Sequence, residues 1–502
     1  MSRAVAKGGA SMVRMRVQAL LIWIGILSGS LLGGTEEGDG LQAGAARGDI
    51  TPELGGEIIG GFVPIPARHI HDPLHVRALV LDDGQQRIAL VVCDLLGLDR
   101  QVSQVARERI EAQVEIPASH VMISATHTHS ACSALGQRRW RLDQPLDAYQ
   151  QFVARRIADT VQCATNNLRS AELAYGQVDI PEHVFNRRWF MKPGTVPPNP
   201  FGGQDQVKMN PPAGSPNLER PAGPTDPTVS FLSVRGTDGR PVGMLAAYSL
   251  HYVGGVRSGD VSADYFAVFC ESIEQSLGPP HPLPPGEVDF VAIMANGTSG
   301  DINNIDFRAP RGRRAPYEQM HFVGTDVARK VLAVIPELEY RRDIAVRAVY
   351  REPEVHWRHP SPDLAAWAER TLADGPQRER DLSYIYAQRV REMMEYPETT
   401  TVPLQVLRIG DVCIGTMPAE VFCEIGLEWR RQCPQQPAFM IELAHGYFGY
   451  LPTPQQHALG GYETWLGTNR LEVHASEKLM QQLLEMATEV AAPQGKLQDG
   501  LE

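Results

Sequence analysis

No stripe of basic residues runs through this chain. With 47 Lys and Arg against 59 Asp and Glu, its formal net charge is -12, the wrong sign for a polyanionic partner, and nucleic acid is excluded on that ground. A cysteine framework is missing too. Cys93, Cys132, Cys163, Cys270, Cys413, Cys423 and Cys433 are widely spaced, odd in number and mostly in apolar contexts such as Val91-Val92-Cys93. They fit neither a disulfide scaffold nor a Cys-based zinc cage, and read as buried small hydrophobes. Internal repeats and low-complexity arrays are absent as well. The 502 residues, 43% of them hydrophobic, therefore read as one large domain with ample apolar material for a core.

Positions 1–18 lack any acidic residue, and there Arg3, Lys7, Arg14 and Arg16 lead into the apolar run from Ala19 to Leu27. This is the n-region and h-region of a secretory leader. The run is short for a membrane span, so export with cleavage is expected, to periplasm, cell envelope or medium. Leu31-Leu32-Gly33-Gly34 offers no clean small-x-small site and no lipobox cysteine is present, which leaves an uncleaved anchor as the alternative. Residues 1–40 are read as leader and linker, and residues 41–502 as the folded domain.

Apolar runs then mark a hairpin, Val76 to Leu81 and Arg87 to Val92 around Asp82-Asp83-Gly84, with Asp94 at its end as either an acid behind a site or a helix cap. A helical pattern over 99–115 precedes the strand Val121-Met122-Ile123, and this strand–helix–strand order predicts an α/β fold with mixed sheets flanked by helices. Further helices are expected over 146–170, 266–277, 317–334, 362–394 and from 474, with strands at 173–178, 231–234, 242–248, 288–294, 402–409, 411–416 and 440–443. The Pro-, Gly- and Asn-rich stretch 192–227 reads as a long loop.

Chemistry gathers where apolar runs end. Ser124 to Ser130 contains His127 and His129, which on an extended backbone share one face roughly 6–7 Å apart. His251 ends Ser249-Leu250-His251, the polar loop Gly297 to Asn304 follows another strand, and Glu420 closes Met417-Pro418-Ala419-Glu420. The glycines of the loop are expected to let backbone N–H groups approach a ligand closely. Asn296-Gly297-Thr298 matches a glycosylation sequon but is discounted because of its place in that loop. Two histidines, a carboxylate and an open position are a common ligand set for hydrolytic zinc.

Taken in order, AGAARGDITP at the start of the folded region, ISATHTHS around His127 and His129, Asn186-Arg187, the DPTVSFLSV and DGRPVGMLAAYSLH pair, NGTSGD, MPAE, and Tyr450 with Tyr462 resemble the neutral ceramidase family, in the N-terminal catalytic domain of its non-lysosomal members. The resemblance implies one zinc ion per chain held by His127, His251, Glu420 and Tyr450. It implies that His129, as general acid/base, and Arg187 and Tyr462, as oxyanion donors, meet the substrate amide. Asp301 and Asn303 would be substrate-binding residues. The family's Gly-Asp-x-Ser-Pro-Asn loop aligns with Gly300-Asp301-Ile302-Asn303-Asn304, so Asn303 stands where a serine is expected; the β-sandwich that commonly follows the catalytic domain is also missing. Both departures count against ceramide as the substrate. The expected protein is thus an exported zinc-dependent amidohydrolase acting on a small-molecule or lipid N-acyl amide, a reading compatible with peripheral membrane contact. Its rivals are an esterase or other non-ceramide hydrolase on the same site, and an exported binding protein with a vestigial metal site.

Overall fold

The apolar runs of the first half hardly alternate with polar residues because both faces of their sheet are buried. The computed structural model describes residues 40–492 except 62, 137–140, 142–143, 280–287 and 313; the expected leader lies outside the described residues. Strands β1 (Gln42–Asp49), β2 (His75–Asp82), β3 (Arg87–Cys93), β4 (Val121–Ala125), β5 (Arg169–Asp179), β6 (Thr228–Gly236), β7 (Pro241–Tyr248) and β8 (Val291–Asn296) form an 8-stranded sheet in the order β8-β7-β6-β5-β1-β2-β3-β4. Its neighbours are antiparallel except at the two edges, where β4 runs parallel to β3 and β8 parallel to β7. Each parallel pair needs a helical crossover, supplied by α1 (Arg100–Val114) on one side.

Along β2 the side chains divide by parity. Val76, Ala78 and Val80 pack under α1 and α2 (Ala148–Asn166) with Val102, Ile110, Val153 and Ile157. Leu79 and Leu81 join the opposite core with Leu232, Leu245 and Ile293. That core is closed by a second sheet, β9 (Val346–Arg351), β10 (Leu404–Ile409), β11 (Val412–Thr416) and β12 (Ala438–Ile441), in that order, through Leu407, Ile409 and Ile414. Helices α3 (Asp264–Leu277) and α4 (Glu318–Val334) cover the β6–β8 end over Phe231, Tyr248 and Met294.

The chain leaving β12 clips the two edges of the large sheet together. Glu442 N donates to Asn296 O at 3.1 Å, Ala125 N donates to Leu443 O at 3.3 Å, and His445 N donates to Ile123 O at 2.7 Å. The ends of β4 and β8, one followed by the histidine pair and the other by the glycine-containing loop, are thereby held beside one connection.

Two expectations need correction. Residues 362–394 form α5 (Pro362–Asp374) and α6 (Leu382–Met393), not one helix; Gly375, at φ +68, with Pro376 behind it ends the first. The stretch 192–227 is not all loop, since Val207–Met209 and Leu218–Pro221 pair on either side of Arg188–Met191. Among the described residues no helix is long and apolar enough to cross a membrane.

Candidate active site

Past β4 the backbone does not stay extended. Thr126 N donates to Cys93 O and His127 N to Leu95 O, both at 2.9 Å, and His127 takes φ +67, an uncommon region for a non-glycine residue. His127 and His129 do face one site, with ring centroids 4.8 Å apart, but the left-handed turn brings them together and not the strand repeat first expected.

The Nδ1 of His127 lies 2.8 Å from Leu96 O, and that of His129 lies 2.8 Å from Gly60 O. Each carbonyl accepts the ring proton, which leaves both Nε2 lone pairs facing inward. His251 arrives from the end of β7, its Nε2 2.9 Å from that of His129, and His129 Nε2 is 3.3 Å from His127 Nε2. Burial, reinforced by the neighbouring His127, pushes the His129 imidazole down to about 3. Burial and the Arg187 guanidinium hold His251 well below the ordinary histidine range. Both shifts favour the neutral imidazole that metal binding requires.

Glu420 and Tyr450 reach the same place through a parallel pairing of two short strands, Glu420–Val421 and Tyr450–Leu451, in which Glu420 is registered on Tyr450. The Tyr447 hydroxyl donates to Glu420 Oε1 at 2.5 Å. Glu420 Oε2 is 3.2 Å from His127 Nε2, buried and without a hydrogen bond. Burial pushes this carboxyl up, but the His127 imidazole and the Tyr447 hydroxyl more than reverse it and bring it down to about 2. Burial raises the Tyr450 phenol well above its usual value. An orphaned carboxylate oxygen among inward-facing imidazole lone pairs is a donor set suited to a divalent cation, and ligand atoms of His127, His129 and His251 lie within 4.8 Å of one another.

Arg187 is fixed on three sides: Nε donates to Glu463 Oε1 at 2.9 Å, Nη2 to Gly300 O at 2.9 Å, and Nη1 lies 3.2 Å from His251 Nδ1. Its Cζ stands 5.3 Å from the Tyr450 ring centroid, and the Tyr450 and Tyr462 rings are 5.6 Å apart. His127, His129, Arg187, His251, Glu420, Tyr450 and Tyr462 all line one cavity of about 320 Å³.

Asp301 and Asn303 do not line it. The Asp301 carboxylate accepts from Asn186 Nδ2 at 2.7 Å and Cys423 N at 2.8 Å, and its carbonyl accepts from Arg187 N at 2.8 Å. Asn303 Nδ2 donates to Asn210 Oδ1 at 3.0 Å, and it is Asn210 that faces the cavity. The glycines before them serve close packing of backbone on backbone rather than ligand approach: a Cβ on Gly300 would come within 2.5 Å of Glu420 O. Asn296 is fully buried and bonded to Ser299 and Glu442, so the sequon has no accessible amide. Asp94 neither joins the site nor caps a helix; it pairs with buried Arg77 and accepts from His75 N at 2.9 Å.

The sequence reading passed over several supporting acids. Glu463 is fully buried and joins Arg187 to Arg188, whose Nη1 donates to its Oε2 at 2.7 Å. Asp264, at φ +55, accepts from Thr128 Oγ1 at 2.7 Å and His129 N at 3.3 Å. Glu442 accepts from Ser299 Oγ at 2.7 Å and Val421 N at 2.6 Å. The available signal was an acid inside an apolar run, Met440-Ile441-Glu442-Leu443, because a buried carboxylate needs donors around it.

A family profile described as neutral/alkaline non-lysosomal ceramidase, N-terminal, matches residues 41–307. The crystal structure of neutral ceramidase from Pseudomonas aeruginosa aligns at a TM-score of 0.65 with 17% identity, over 90% of this chain and 74% of that one. A ceramidase complexed with C2 aligns at 0.66 with 16% identity, over 90% and 75%. At these identities the structural likeness concerns the mixed α/β fold.

Proposed function

This chain belongs to the neutral/alkaline non-lysosomal ceramidase family, and from that premise we propose that it is an exported zinc-dependent hydrolase cleaving an amide (N-acyl) bond. The family and fold are those of a ceramidase-like hydrolase. The observation that carries the zinc reading is the unpartnered Glu420 Oε2 facing the inward Nε2 atoms. His127, His251, Glu420 and Tyr450 would hold the ion. When bound, zinc supplies a Lewis acid that polarises a carbonyl and lowers the pKa of a bound water to about 7.

The remaining residues handle the proton and the charge. His129, oriented through Nδ1 by Gly60 O, turns Nε2 into the site to accept a proton and return it to the leaving amine, a role typically worth roughly 10²–10⁴-fold. Arg187, clamped by Glu463 and Gly300, and Tyr462 are donors placed beforehand for a developing oxyanion. A second reading makes His129 a ligand, favoured by its 2.9 Å approach to His251.

Ceramide is proposed to be a poor substrate. Asn303 acts on the cavity through Asn210, and an amide with fixed donor and acceptor ends constrains that partner differently from a rotating hydroxyl. The test compares ceramide, short N-acyl amides and matching esters, with wild type and Asn303→Ser, before and after chelation. About one zinc per chain and chelator-sensitive amide cleavage are expected. Undiminished turnover in chelator would refute the zinc reading, and efficient ceramide cleavage by wild type would refute the substrate reading.

A further inference from the structure

Beside the catalytic cavity lies another, of about 460 Å³, that the chemistry above leaves unused. Its walls are Gly255 and Val256, a few residues past His251, together with Asn304, Asp306, Arg311, Arg314 and Gln319. The two cavities share a wall: Val253 lines the first, Asn304 lines the second, and Val253 N donates to Asn304 Oδ1 at 3.3 Å. From His251 to Gly255 the chain spans at most about 14 Å even if fully extended. The two cavities are therefore close neighbours.

The charged side chains free to meet a ligand in this second cavity are cationic. The carboxylate on its wall, Asp306, is occupied by Arg308, whose Nε and Nη2 donate to it at 2.8 and 2.9 Å. Arg311 and Arg314 also line it, and among the described residues neither forms an ion pair. Tyr252, 1% exposed, has a hydroxyl without a hydrogen-bond partner. That hydroxyl comes within 3.2 Å of where a Cβ on Gly255, at φ +88, would sit, and so lies behind the cavity wall. Arg311 Nη2 lies 3.9 Å from the corresponding point on Gly254. Two guanidiniums on the wall of one cavity complement an oxyanion.

We propose that this cavity is a subsite for an anionic group, phosphate or carboxylate, carried on the amine portion of the substrate. The assignment to the amine portion is part of the proposal, which rests on the amide-hydrolase reading above. The enzyme then prefers N-acyl amines that end in an anion over those that end in a neutral alcohol.

The test uses the full metal-loaded protein and three matched amides: N-hexanoyl ethanolamine, N-hexanoyl β-alanine and N-hexanoyl phosphoethanolamine. Wild type should favour the charged substrates in kcat/KM by roughly tenfold or more, the factor expected from one charge-assisted hydrogen bond. The exposed pair Arg311→Gln/Arg314→Gln should bring the ratio to about one and leave the ethanolamide rate unchanged. A wild-type ratio near one, or a preference that survives the double variant, overturns the proposal. If none of the three amides is cleaved, the hydrolase reading fails, and titration of inorganic phosphate judges the cavity alone: binding by wild type and not by the double variant upholds an anion site, whereas equal binding or none overturns it.

Discussion

A histidine whose Nδ1 proton is committed to a carbonyl has a single nitrogen left to offer, and His127 and His129 are both in that condition, on Leu96 and Gly60. Their roles separate by experiment. His251→Ala and Glu420→Ala should lose zinc by elemental analysis, and full occupancy in both would sink the ligand assignment. His129→Ala should retain zinc and lose roughly 10²–10⁴ in turnover; metal loss as complete as in His127→Ala would make His129 a ligand. Arg187→Lys should also be inactive, since an ammonium cannot span Glu463, the Gly300 carbonyl and His251 as the guanidinium does. Tyr447 donates to Glu420 at Oε1, the oxygen other than the one beside His127. For Tyr447→Phe the expected result, read by chelator competition, is metal affinity weakened by about 10–100-fold with the fold intact.

Between β12 and the site, Glu442 ties three elements together. It takes hydrogen bonds from Asn296 Nδ2, from Ser299 N and Oγ, and from Val421 N next to Glu420. Removing it leaves the buried Ser299 N and Val421 N without that acceptor, at about 1–3 kcal/mol each. Glu442→Ala should therefore lower Tm by several degrees in thermal unfolding, and an unchanged Tm would deny the tie. Helix α4 gives a pH-dependent case. Burial raises the Asp326 carboxyl, but hydrogen bonds from Arg329, His183 and Lys330 outweigh it and bring it down to about 2. A carboxyl depressed in the folded state contributes stability that is present above its unfolded value of about 4 and lost as pH falls toward 2. Urea unfolding at pH 5 and pH 3 should show a smaller loss on acidification for Asp326→Asn than for wild type, and equal losses would count against the pair.

At the scale of the whole molecule, export is proposed from the acid-free start and the apolar run Ala19 to Leu27. N-terminal sequencing of protein from the cell envelope or periplasm should find a mature chain beginning near residues 30–45, and an intact Met1 on cytosolic protein would contradict it. The parts of the fold legible in the sequence were those whose pattern is local. The hairpin of β2 and β3, the α/β order and the strand-end polar motifs all follow from runs of a few residues, because burial imposes its period on neighbours along the chain. The two histidines were legible as a pair, yet their convergence was not, since it depends on a left-handed residue fixed by the β3 end. The glycine loop was read as a ligand cradle, and the tertiary structure made it a packing surface against Glu420. Only the fold decided that Glu420 registers on Tyr450, or that Glu463 reaches Arg187 across 276 residues of chain. The physical reason is one of range. A strand declares itself through its own side chains, whereas a buried carboxylate is placed by donors distant in sequence, and no local period records them.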